Sequence, residues 1–170
     1  MLDAVFGTEA GQVVAVNGAT GLALWSYSIP NTVGPVNADI VDADGDGTLE
    51  VVVGGKAESG DATVVLLDKD GSKKWEAPVD YSEVTDFAYA DLDGDDLPDV
   101  AVSAGTYPWN GSQVLALRGA DGSRIWAISL GSGVAFAIDA ADVDGTGGAE
   151  IAVTTYDNKV LLLSGTTGEV

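Results

Sequence analysis

Three observations on this 170-residue chain predict an all-β fold, a β-propeller of four-stranded antiparallel blades. Two different motifs recur with a period of 49 to 51 residues. Each period holds several short apolar runs separated by Gly- and Asp-rich turns, the pattern of antiparallel strands. No segment carries the 3.6-residue periodicity of an amphipathic helix. Units of 40–50 residues with several short strands each are the signature of a propeller or a related array.

The first motif is centred on tryptophan. Trp25, Trp75 and Trp126 lie 50 and 51 residues apart, each four positions after a glycine: Gly21, Gly71 and Gly122. The segments read VVAVNGATGLALW (13–25), VVLLDKDGSKKW (64–75) and VLALRGADGSRIW (114–126); a fourth copy, VLLLSGTTGEV (160–170), ends before its tryptophan. Regular spacing favours a structural role, in which each indole covers the gap between adjacent blades and buries a large aromatic area. A carbohydrate-stacking platform is the alternative.

The second motif is acidic. It reads ADIVDADGDGTLEVVVGG (38–55), FAYADLDGDDLPDVAVSA (87–104) and IDAADVDGTGGAEIAVTT (138–155). Loop one places Asp42, Asp44, Asp46 and Glu50 at relative positions 1, 3, 5 and 9. Loop two has Asp91, Asp93, Asp95 and Asp99 there, and loop three has Asp142, Asp144, Thr146 and Glu150. Alternate residues of a tight turn can aim their side chains at one centre, and glycine supplies the backbone angles such a turn needs. Backbone carbonyls at position 7 (Thr48, Leu97 and Gly148) would add oxygens to a shell suited to Ca2+, which takes six to eight. Asp and Gly also mark ordinary turns. However, three loops in register hold 12 of the 27 acids, more than turn chemistry alone requires.

Each unit reads as a short inner strand (VNADIV, 36–41), the acidic loop, an apolar strand (EVVVGG, 50–55), a third strand (TVVLLD, 63–68) and a fourth bearing the tryptophan. The expected organisation is strands two to four of a partial blade in 1–30. Blades follow in 31–80 and 81–131, then strands one to three of a further blade in 132–170. That makes about fourteen strands, or three and a half blades. The chain reads either as a fragment of a longer propeller or as a protomer that completes its blades with a neighbour; in the second case the exposed strand edges of incomplete blades invite another copy, and self-association is expected if the chain is stable alone.

Composition narrows the function. The net charge of −20 repels nucleic acid and anionic lipid. No apolar run approaches the ~20 residues of a membrane-spanning helix. The chain has no Cys and no His, hence no thiolate, no imidazole base and no soft metal ligand. A metal here must be held by oxygen. Arg118, Arg124 and Lys159 are scattered over the repeat and read as surface residues. Asn110-Gly111-Ser112 is a glycosylation sequon in a loop between strands two and three.

The D-x-D-G-D-G-x-x-E/D loop followed by an apolar strand resembles the FG-GAP/VCBS repeat family, also found in the integrin α-subunit propeller. The tryptophan half-repeat resembles the quinoprotein-like propeller motif. The resemblance implies a propeller of seven or eight blades, usually extracellular or at the cell surface, with structural Ca2+ in each acidic loop. It implies adhesion or recognition of a protein or glycan ligand, not catalysis. Two enzyme readings compete with it: part of a secreted polysaccharide lyase or hydrolase, and a quinone-dependent dehydrogenase.

Overall fold

The computed structural model describes residues 3–106, 111–131 and 133–170, and the sequon at Asn110 lies outside them. Among these residues there are fourteen strands and no helix, and every strand pairing is antiparallel. The chain is a partial β-propeller.

Strands β1 (Ala4–Gly7), β2 (Gln12–Val16) and β3 (Ala23–Ser28) form a first, three-stranded sheet. β4 (Thr32–Val41), β5 (Glu50–Ala57), β6 (Thr63–Leu67) and β7 (Lys73–Pro78) form a four-stranded one. β8 (Glu83–Ala90), β9 (Asp99–Gly105), β10 (Ser112–Leu117) and β11 (Arg124–Gly131) form the next. β12 (Ala135–Ala141), β13 (Glu150–Thr155) and β14 (Val160–Ser164) complete the array with three strands. The two central sheets are bridged by one residue pair, Lys56 with Glu83.

The core lies between sheets. Side chains of a strand alternate between its two faces, so each sheet feeds two interfaces. Val64 and Leu66 of β6 face forward to join Leu115 and Leu117 of β10 in one cluster, while Val65 and Leu67 face back toward Val13 of the first sheet. Val114 and Ala116 repeat the forward arrangement against Ile151, Val153 and Leu163. This is why β6 and β10 read as continuous apolar runs: both faces are buried.

The tryptophans close the same interfaces from outside. Trp25 Nε1 donates to Lys69 O (2.8 Å), Trp75 Nε1 to Gly119 O (2.8 Å) and Trp126 Nε1 to Gly165 O (2.6 Å), in each case across to the turn of the following sheet. The indoles lie on Gly71, Gly122 and Gly168, where a Cβ would come within 2.7–2.8 Å of ring atoms. Near the inner edge, Asn37 Nδ2 donates to Val84 O and Thr85 O, and Asp86 Oδ2 accepts from Ile138 N, again linking neighbours.

Candidate metal centres

Each acidic loop joins the first strand of its sheet to the second: β4 to β5, β8 to β9 and β12 to β13. The last acid opens the second strand, so the sheet fixes its backbone, and Glu50 and Asp99 are buried. Their carboxylates turn back to accept the N–H of loop position 2. Ala43 N donates to Glu50 Oε2 (2.9 Å), Leu92 N to Asp99 Oδ2 (2.9 Å) and Val143 N to Glu150 Oε2 (3.0 Å). The first acid gathers N–H groups from the turn: Gly47, Asp96 and Gly147 donate to Asp42, Asp91 and Asp142 at 2.9–3.0 Å. The loops thus repeat one geometry, with the carboxylates at both ends anchored by the backbone.

This geometry converges three carboxylates in every loop. Asp42, Asp44 and Glu50 offer oxygens within 4.8 Å of one another, as do Asp91, Asp93 and Asp99, and Asp142, Asp144 and Glu150. Each group could hold a metal ion. The acids at position 5 are not in these groups. Asp46 Oδ1 accepts from Thr48 N (2.6 Å) and Asp95 Oδ1 from Leu97 N (2.9 Å), so both cap the turn two residues on. Thr146 at the same position donates its own N–H to Asp144 (2.9 Å). Among the described residues no hydrogen bond reaches the position-7 carbonyls of Thr48, Leu97 and Gly148.

Two carboxylate oxygens in the first two loops test whether a cation fits there. Asp42 Oδ1 and Asp93 Oδ1 are buried and have no hydrogen-bond partner. A buried carboxylate oxygen without a partner carries a desolvation cost of about 1–3 kcal/mol or more. A cation bound at the cluster removes it, so the residues fit a metal ion.

Two basic side chains reach into the same loops. Lys74 Nζ lies 2.5 Å from Asp44 Oδ2 and 3.3 Å from Glu50 Oε1. Its pKa is raised above the ordinary lysine value, chiefly by the Asp44 hydrogen bond. Arg118 Nε contacts Asp93 Oδ2 at 2.6 Å in loop two. Arg118 is the surface residue its position suggested and reaches Asp93 from there, while Arg124 and Lys159 pair with Asp80 and Asp157. Both loop contacts bring one strand or turn onto a loop 24–30 residues away, and neither base stands at a loop spacing.

Electrostatics differ within a loop. For Asp91, burial pushes the carboxyl up, but the N–H groups of Gly94, Asp96, Asp95 and Asp93 together hold it below the usual range. Asp99 goes the other way: burial raises it, and Asp93 and Asp95 add to the rise. Packing also distinguishes the loops. Ala43 and Leu92 at position 2 are buried, whereas Val143 in loop three is 58% exposed.

Fold and site together define a partial β-propeller with three acidic, oxygen-rich loops able to hold metal. No protein-family model matches the chain, and no curated protein does. Solved structures do. The chain is similar to the computationally designed Ika4 protein (17% identity, TM-score 0.67, 95% of this chain and 84% of that one). It is similar to rhamnogalacturonan lyase YesW (20% identity, TM-score 0.63, 94% of this chain and 37% of that one). It is also similar to the quinohemoprotein alcohol dehydrogenase ADHIIG of Pseudomonas putida HK5 (13% identity, TM-score 0.65, 98% of this chain and 32% of that one). At these identities the likeness is one of fold alone.

Proposed function

We propose that this chain is a calcium-binding β-propeller module of the FG-GAP/VCBS type that works by recognition or assembly outside the cell or at its surface, with a protein or glycan as ligand and no catalysis of its own. The observation that carries the reading is the unpartnered, buried Asp42 Oδ1 and Asp93 Oδ1, each within a converged group of three carboxylates. Asp42, Asp44 and Glu50 would hold one ion, Asp91, Asp93 and Asp99 a second, and Asp142, Asp144 and Glu150 a third. Ca2+ suits such loops better than Mg2+, which demands a smaller, near-octahedral shell and sheds its water reluctantly. What the ion supplies is charge and oxygen coordination: it neutralises carboxylates that otherwise repel one another across a few ångströms.

An extracellular setting agrees with the chemistry. Modules there bind calcium with Kd of about 10⁻⁴–10⁻³ M and stay filled. A non-catalytic role agrees with the residues available. The chain has no His or Cys, and its clustered acids already serve the loops.

Calorimetry with CaCl2 and MgCl2 tests the proposal. Calcium should bind with three sites per chain, and Asp42→Asn and Asp93→Asn should each weaken one of them by about tenfold or more, equivalent to 1.4 kcal/mol. Unaltered calcium binding in both variants would sink the assignment. Thr146→Asp probes position 5 separately. A gain in affinity at loop three places that side chain in the metal shell, and no gain leaves it a turn cap as in Asp46 and Asp95.

A further inference from the structure

The first two acidic loops are tied to each other through a single turn. Glu50, a member of the first carboxylate group, accepts the N–H of Ala43 at Oε2 (2.9 Å). The Ala43 carbonyl lies against Gly119, in the turn between β10 and β11 of the following sheet. A Cβ built at Gly119 would run into both Ala43 O and Pro98 O, so the turn cannot shift without moving both loops. Gly119 N donates to Asp99 Oδ1 (3.2 Å), a member of the second group. Trp75 Nε1 holds the same turn by its bond to Gly119 O (2.8 Å). Two buried carboxylates, one from each loop, are thus separated only by Ala43 and Gly119. The next joint has the same shape and a different ending. Trp126 Nε1 donates to Gly165 O, and the Leu92 side chain of loop two meets Gly165. Gly165 N, however, donates to the Ala149 carbonyl (2.9 Å), which belongs to no carboxylate group.

Resting on the calcium reading above, we infer that loops one and two form a coupled pair, in which an ion in either loop raises the affinity of the other. Gly119, clamped by Trp75, is the positioning residue that carries the effect, and loop three binds its ion independently. An empty loop holds three carboxylates that repel one another. An ion in loop one draws them together and fixes Glu50, and with it Ala43 and the Gly119 turn. Asp99 then meets its own ion already held, so the second ion has less disorder to remove. The effect is reciprocal, since a coupling free energy belongs to both sites. Coulomb forces act the other way, because the first ion weakens the negative field that attracts the second. That opposition is common to both joints, whose loops repeat one geometry. The bond from a turn N–H to a grouped carboxylate belongs, among the described residues, to the first joint alone. Lys74 and Arg118 adjoin Trp75 and Gly119 and contact loops one and two, so the variants that test the joint leave both in place.

Calorimetry with CaCl2 on the 170-residue chain tests this. Asp142→Asn with Asp144→Asn disables loop three and leaves loops one and two. The second ion should then bind about fivefold or more tighter than independent sites allow, the lower end of common coupling factors. Asp42→Asn with Asp44→Asn leaves loops two and three, which should bind without such a gain. In the first background, Trp75→Phe removes the bond to Gly119 O and should bring the two ions toward independence while both still bind. Trp126→Phe removes the matching bond to Gly165 O and should leave the coupling intact, which separates positioning from a general loss of packing. Two ions that bind loops one and two independently overturn the inference and leave the calcium reading standing. Equal coupling in the two pairs, or equal loss from the two tryptophan variants, overturns it as well. A chain that takes up no calcium at all defeats the calcium reading and this inference together.

Discussion

At the residue scale, the loops hold more than their spacing declares. The convergence of positions 1, 3 and 9 follows from the sequence because the backbone turn and the start of the second strand fix where those side chains go. The hydrogen bonding at position 5 does not follow from it. Asp46 and Asp95 look equivalent to their neighbours in a string of alternating acids, yet a nearby N–H takes them as turn caps, a competition that short acidic side chains commonly enter. Lys74 and Arg118 were also hidden, because their loop contacts depend on how the sheet folds a strand or turn back over the loop. Lys74 gives a sharp prediction. Its ammonium sits against Asp44 and Glu50, two members of the first carboxylate group, and would compete with an ion bound there. Lys74→Ala should tighten calcium binding at loop one while lowering the melting temperature of the calcium-free protein. Calorimetry and a melt in chelator read the two effects, and a variant that binds calcium more weakly would make Lys74 a support of the site and not its competitor.

At the element scale, the strand order and the turns follow from the repeat, but the partners of the tryptophans do not. Trp25 follows Gly21 by four residues in sequence, yet it lies on Gly71 of the next sheet. Because each of the first three units carries both a tryptophan and such a glycine, the sequence cannot say whether a pair meets within a unit or across two. The twist and stacking of successive sheets decide it. Trp75 is the most enclosed case, 7% exposed and bonded to Gly119 O. Trp75→Ala should cost about 3–5 kcal/mol, and Trp75→Phe a smaller amount, near the ~0.5–1.5 kcal/mol of one hydrogen bond plus lost area. Denaturant titration separates them, and equal losses would mean the bond to Gly119 contributes nothing. Gly122→Ala, where the new methyl would meet Trp75 at 2.7 Å, should destabilise by more than Gly21→Ala, where φ is nearly the same and the space is open. If the two cost the same, strain at positive φ is the whole penalty and the indole contact adds none.

At the scale of the whole molecule, charge and burial act against each other. An apolar core lies between every pair of adjacent sheets, while 27 acids against 7 bases leave a net charge of −20. Much of that charge is concentrated in the three loops, which lie between the first and second strands of successive sheets, where self-repulsion opposes the fold. Three divalent ions would bring −20 to −14. The account therefore makes calcium part of what holds the array together. The most direct measurement is thermal unfolding of the same protein in excess calcium and in chelator, with magnesium as a control for ionic strength. A ligand that binds only the native state at a hundredfold excess over Kd adds about 2.7 kcal/mol per site, which for a chain of this size is about 5–10 °C for each site filled. The account predicts a rise of at least that size in calcium, smaller in magnesium and reduced by Asp42→Asn and Asp93→Asn; melting temperatures that coincide in calcium and in chelator would contradict it.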